Sequence, residues 1–127
     1  MTEDEIGTQV VDAALGIHRE LGPGLLEKVY EIVLAGELRR RGLSVERQVP
    51  IAIKYQRIRF DEGFRADIIV DGQVIVELKC VETIHNAHRK QLLTYLRLSG
   101  MKLGYLFNFS EPLLKDGITR TVNGLAE

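Results

Sequence analysis

Apolar residues first recur at helical intervals. Ile6, Val10, Ala13, Ile17 and Leu21 lie three to four positions apart behind Thr2 and Glu5, which stand at capping-box spacing. This predicts an opening amphipathic helix that Gly22-Pro23-Gly24 ends. A second helix is predicted from about Leu25, with Leu26, Val29, Val33 and Leu38 on its apolar side, through Arg39-Arg40-Arg41 to Gly42. The period then changes to two. Val45, Val49, Ile51 and Ile53 read as a half-buried strand, and Pro50 inside it points to an edge position or a bulge. The polar stretch 54–63 reads as a strand end and turn, with room for a short strand. Two strands follow, Phe64–Val70 and Gln73–Cys80, joined at Asp71-Gly72. Asn86–Ser99 reads as a third helix stopped by Gly100, Leu103–Phe109 as a buried strand and Ile118–Val122 as a short last one. The predicted order is αα-βββ-α-ββ, an α/β fold with a central mixed sheet flanked by helices.

Length and composition add limits. A chain of 127 residues has room for one domain, spanning 1–127. Apolar residues make up 45% and Trp is absent, so aliphatic side chains must build the core. Cys80 is the only cysteine, which excludes an internal disulfide and a thiolate-rich zinc site. No apolar run suits a signal peptide or a membrane span, so the cytoplasm is the expected compartment and no membrane contact is expected. The net charge of −1 hides an asymmetry. Residues 1–38 carry eight acidic and two basic side chains, whereas residues 39–102 carry thirteen basic and seven acidic. A basic middle suits a polyanion, and it equally suits scattered solvated positions.

The segment 65–79 carries the candidate chemistry. Asp67, Glu77 and Lys79 interrupt two otherwise apolar strands, and a charge on a buried strand needs a partner or a metal. Glu77 and Lys79 are two apart and share a face, and Asp67 shares one with Ile69. The turn decides whether the acids meet. A two-residue Asp-Gly turn sets Asp67 opposite Val76 and puts the two acids on opposite faces. A three-residue loop pairs odd positions with odd and brings Asp67 to Glu77, with Gly72 as the left-handed residue. The expectation is therefore an odd-length loop, or a bulge near Asp67. In that register Asp67, Glu77 and the carbonyl of Leu78 suit Mg2+, which takes one or two carboxylates and fills its shell with water and phosphate oxygens. Lys79 would hold the attacking water or stabilise the transition state. Glu-x-Lys on its own is a weak signal, and a cross-strand salt bridge at a sheet end would also explain these three charges.

Four separated elements together resemble one family. Gly24-Leu-Leu-Glu27-Lys-Val-Tyr30 is similar to the signature of the GxxExxY proteins, a branch of the PD-(D/E)XK nuclease superfamily. Asp67, Glu77 and Lys79 resemble that superfamily's catalytic motif, and Gln91-Leu-Leu-Thr-Tyr95 resembles the Q-x-x-x-Y element of its RecB-like and Cas4-like members. His88 and Asn108-Phe109 also resemble family positions. The resemblance implies a restriction-endonuclease-like fold, a further metal or water contact from Glu27, and positioning roles for Gln91 and Tyr95. By helical spacing His88, Gln91 and Tyr95 share one face. Plainer roles stand beside these: a dipole contact for Glu27 at a helix start, a core position for Tyr95, packing for Tyr30 and a simple corner for Gly22-Pro23-Gly24.

The expected function is an Mg2+- or Mn2+-dependent nuclease acting on nucleic acid, DNA before RNA. Asp67 and Glu77 would hold the metal with Leu78 and Glu27, and a homodimer would embrace a duplex. The competing class keeps the fold as a non-catalytic nucleic-acid or protein interaction module. A purely structural or self-associating protein is a third class.

Overall fold

A computed structural model describes residues 1–126. Helix α1 (Glu3–Leu21) starts at Thr2, whose side chain and Glu5 cap each other. Helix α2 (Glu27–Arg40) follows the Gly22–Leu26 corner. Strands β1 (Val45–Tyr55), β2 (Ile58–Val70) and β3 (Val74–Lys79) form an antiparallel meander, and helix α3 (Asn86–Ser99) crosses over to β4 (Leu103–Asn108). A short 3-10 turn (Leu114–Gly117) leads into β5 (Ile118–Val122). The sheet runs β1-β2-β3-β4-β5, with only β3 and β4 parallel, as the α3 crossover requires. This is the α/β architecture that the αα-βββ-α-ββ pattern predicts, and it is consistent with the restriction-endonuclease-like fold that the resemblance implies.

The sheet separates two cores. On one side α1 and α2 pack Ile6, Val10, Leu34 and Leu38 against Ile68, Val70, Val76, Leu78 and Phe107. On the other, α3 lays Leu92 and Leu96 over Ala66, Ile69, Ile75 and Leu106. Even-numbered residues of β3 thus face α1 and α2, and odd-numbered ones face α3, as period-two alternation requires.

One expectation needs correction. Helix α2 buries Tyr30, Glu31, Leu34, Ala35 and Leu38, not the face built on Leu26, Val29 and Val33. Leu26 is 77% exposed. Apolar residues fall on two sides of this helix, Val29, Ile32 and Val33 on one and Tyr30, Leu34 and Leu38 on the other, so periodicity alone leaves its orientation open. The bulk of Tyr30 decides it: the ring stacks on Phe109 at 4.4 Å, and its hydroxyl donates to the Gly22 carbonyl while accepting from the Leu25 N–H. Residues 54–63 hold the expected strand end, turn and strand: β1 continues to Tyr55, turns at Gln56-Arg57 and returns from Ile58, where the strand runs on without a break into Phe64–Val70 as β2. The stretch is polar because this end of the ribbon has solvent on both faces.

The β2–β3 turn has the odd length that the site requires. Val70 pairs with Val74 and Ile68 with Val76, which leaves Asp71-Gly72-Gln73 as a three-residue loop. Asp71 and Gly72 both take positive φ, 51° and 64°, and the Gln73 N–H bonds the Val70 carbonyl at 3.0 Å. Asp71 is held in place by Ser44, its carboxylate accepting from the Ser44 N–H at 2.7 Å.

A second irregularity lies farther along. Val45 and Ile68 face α1 and α2, whereas Val49 and Ala66 face α3, although each pair keeps the same parity. Both strands therefore change faces at the Gln48–Asp67 step, where Gln48 has φ 53°. A bulky non-glycine residue in the left-handed region is strained, and such strain gathers where geometry serves a purpose.

The corrected face of α2 is testable by chemical denaturation. Leu34→Ala is expected to cost about 3 kcal/mol and Val33→Ala less than about 1 kcal/mol. Equal costs would return α2 to the orientation read from its spacing.

Candidate functional site

The β2–β3 ladder has its last backbone pair at Ile68 and Val76, one step before the acids. There, side chains take over from the main chain. The Asp67 N–H points at Glu77 Oε2 at 3.3 Å, and the Leu78 N–H donates to Asp67 Oδ2 at 2.9 Å. The change of face at Asp67 makes this possible by turning its carboxylate into the seam between the strands. Glu77 approaches from the α3 side of β3. The Leu78 carbonyl points the same way as its own N–H, toward β2, because the alternate carbonyl of Lys79 bonds the Phe109 N–H across β4 at 2.9 Å.

Burial sets the electrostatics. Glu77 is 6% exposed, and its Oε1 is buried with no hydrogen-bond partner among the described residues. Its carboxyl is pushed up to about 10, first by burial and then by hydrogen bonding to and the charge of Asp67; the Asp67 N–H and Lys79 oppose the shift. At neutral pH Glu77 therefore holds a proton where a divalent cation would neutralise the pair just as well. The donor set fits such a cation: two carboxylates, one with an orphaned buried oxygen, beside a main-chain carbonyl. Among the described residues no three of His, Cys, Asp and Glu converge on one point, so Glu27 stands off from the Asp67–Glu77 pair.

Glu27 nevertheless lies in the same field. Its carboxyl is raised by burial and by the charge of Asp67, while Lys79 and the Cys80 N–H pull it back. It occupies the first position of α2, just beyond the corner that the Tyr30 hydroxyl pins. Half-buried Lys79 enters no ion pair among the described residues, yet its charge reaches both Glu27 and Glu77.

Helix α3 brings only part of its polar face to the acids. The Tyr95 phenol is raised by burial and then by the charges of Glu77 and Asp67, and its ring stacks on Phe64 with centroids 3.7 Å apart. Gln91, one turn earlier, is exposed and makes no hydrogen bond among the described residues. His88 is spent on the helix start, where its Nδ1 accepts from the His85 N–H at 3.0 Å. Asn108 is structural: its side-chain amide pairs with both the N–H and the carbonyl of Val81, extending the sheet beyond Lys79. Cys80 packs partly buried against the α1–α2 core, its Sγ toward the Leu25 carbonyl.

Three residues escape the sequence reading. Glu31 is buried one turn after Glu27, with Arg47 donating to its Oε2 at 2.9 Å and Gln48 to its Oε1 at 2.7 Å. The Gln48 amide also lies 3.4 Å from Asp67 Oδ1. Together with Glu27, Lys28 and Asp67 they line an open cleft of about 520 Å3. The i, i+4 spacing of Glu27 and Glu31 was the available signal. It is masked because Glu31 falls on the face that the apolar pattern left unassigned.

A family model described as the PD-(D/E)XK nuclease superfamily matches residues 4–121. No curated protein and no solved structure matches the chain.

The protonated state of Glu77 has a stability signature. A folded-state value near 10, well above an unfolded carboxylate's, means that the folding penalty is absent in acid and grows as pH rises from about 4.5 toward 10. Glu77→Gln is therefore expected to raise the melting temperature of the metal-free protein at pH 8 and to leave it nearly unchanged at pH 4. Mn2+ is expected to raise the melting temperature of the parent protein at pH 8 and not that of the variant. Equal stability of the two proteins across this range would remove the buried proton.

Proposed function

Because the chain belongs to the PD-(D/E)XK nuclease superfamily, we propose that it hydrolyses phosphodiester bonds in DNA with the help of Mg2+ or Mn2+. One observation supports this above the others: a partnerless, buried Glu77 oxygen held against Asp67 at the open end of the β2–β3 seam, with Lys79 two residues on. Asp67, Glu77 and the Leu78 carbonyl would hold the cation. When bound, the cation supplies Lewis-acid stabilisation of the phosphate and a more acidic water.

The chain's own residues do the rest. The Lys79 ammonium, unpaired and beside the acids, orients the attacking water and balances charge that builds on the phosphoryl oxygens. Glu27, its carboxyl raised by burial, accepts or returns a proton from the far side of that water. Tyr95 and Gln91 offer a phenol and an amide along α3 to position the phosphate. Gln48 fixes Asp67 by bridging it to Glu31. DNA is favoured over RNA by the likeness of Gln91–Tyr95 to RecB-like and Cas4-like members, and the likeness of Gly24-Glu27-Tyr30 to the GxxExxY signature supports a place in that branch. A second copy would let so small a domain embrace a duplex. No helix among the described residues is long and apolar enough to cross a membrane, and the cytoplasm is the compartment proposed.

Labelled DNA and RNA, single-stranded and duplex, incubated with Mn2+ or Mg2+ test the reading. DNA cleavage is expected, falling by at least about 100-fold in Asp67→Ala, Glu77→Ala and Lys79→Ala. Cys80→Ala should cleave normally, and Tyr95→Phe and Gln91→Ala should show partial losses. Salt-sensitive binding with no cleavage in any metal would instead make the chain an interaction module.

A further inference from the structure

The β1–β2 ribbon runs on past the acids. Continuing the β2–β3 register puts Lys79, the last residue of β3, level with Arg65. From there β2 extends back to Ile58, roughly 20 Å at 3.3 Å per residue, with only β1 as its neighbour. The base of this arm is tied to α3 by the Phe64–Tyr95 stack. Above it, the register shifts between Ile51 and Ile53, and the Ile53 side chain lies where a Cβ on Gly63 would have to go. The arm therefore stands beside the site as a separate projection.

Its two faces differ. The pairs Ile53–Phe60 and Tyr55–Ile58 share one face, and Lys54–Arg59 takes the other, with Arg57 in the turn. Tyr55, Ile58 and Phe60 are 68%, 66% and 67% exposed. No acid lies between residues 53 and 60; nearer the base Asp61 pairs with Arg59 at 2.8 Å and Glu62 with Arg65 at 2.6 Å. Exposed aromatic rings on a ribbon with a basic turn and reverse face complement one ligand class: a polyanion that offers flat apolar rings.

We propose that this arm binds unpaired nucleotides, whose bases stack on Tyr55 and Phe60 while Arg57 in the turn, and Lys54 reaching round the ribbon's edge, meet the phosphates, and so guides a single-stranded segment to the acids at its base. This rests on the nuclease reading for its biological sense, but its chemistry is separately testable. Stacking is sequence-tolerant because every base has an aromatic face. Inside a duplex both faces of each base are covered by its stacked neighbours, so the arm prefers a single strand to a blunt duplex.

The test is fluorescence anisotropy of a labelled oligothymidylate of about twenty nucleotides in EDTA, with a blunt duplex of equal length alongside. Tyr55→Ala with Phe60→Ala should weaken single-strand binding by at least about thirty-fold. Tyr55→Phe with Phe60→Tyr should restore it, since both rings remain. Lys54→Gln with Arg57→Gln should weaken binding and flatten its salt dependence. All three variants alter exposed positions, so unchanged melting temperatures are expected and are checked in parallel. Cys80→Ala, outside the arm and the acids, should bind like the parent. Absence of binding by the parent, parent-like binding by the aromatic double variant, or tighter binding of the duplex would each overturn the proposal. So would sedimentation showing that the aromatic variant only converts a dimer to a monomer, which would make the arm a contact between copies. Arm-dependent binding without cleavage in Mn2+ would leave the arm standing and remove the nuclease reading.

Discussion

At the mouth of the β2–β3 hairpin, two carboxylates do the work that main-chain carbonyls do in the rest of the sheet. Glu77 Oε2 receives the Asp67 N–H, and Asp67 Oδ2 receives the Leu78 N–H. A buried main-chain N–H must find an acceptor. Here the requirement draws two acids into a sheet seam that would otherwise exclude them. Geometry and electrostatics then become inseparable. The acids are close because each stitches the other's strand, and that closeness, with burial, holds a proton on Glu77.

The surroundings read as support for this seam. The Tyr30 hydroxyl pins the corner ahead of α2, which sets where Glu27 enters the field. Glu31 anchors Arg47 and Gln48, and the left-handed backbone of Gln48 lets β1 change faces together with β2 opposite Asp67. Asn108 closes the chain around Val81 just past Lys79, so β3 does not fray at its functional end. Strain at Gln48 and an orphaned oxygen on Glu77 are both unfavourable for folding alone. They are tolerated because the two apolar cores above and below the sheet hold the strands firmly.

That division of labour extends outward. The ladder ends at the acids, where the sheet narrows from five strands to the two of the arm, and apolar residues pass from the interior to solvent at Phe60, Ile58 and Tyr55. Polarity thus changes along one strand, β2: a packed turn end at Val70, a charged seam at Asp67, then an aromatic and basic projection. Strand β2 alone runs through all three, paired with β3 at the hairpin and with β1 in the arm.

The element order followed from the sequence because local signals agree with the final fold at most positions. Thr2 and Glu5 announce a cap, Gly100 a helix end, alternation marks β1, and apolar runs mark β3 and β4. The candidate acids were legible because Asp67 and Glu77 break apolar runs, and the odd turn followed from requiring that they meet. Other features were decided only by tertiary structure. The buried side of α2 depended on where the Tyr30 ring and hydroxyl found partners, which no one-dimensional period records. The burial of Glu31 depended on Arg47 and Gln48 arriving from another element. The face change at Gln48–Asp67 depended on two strands yielding together. Sequence spacing encodes which side chains lie along one element, whereas which oxygens share a buried space depends on how separate elements pack, and packing is where that information first exists.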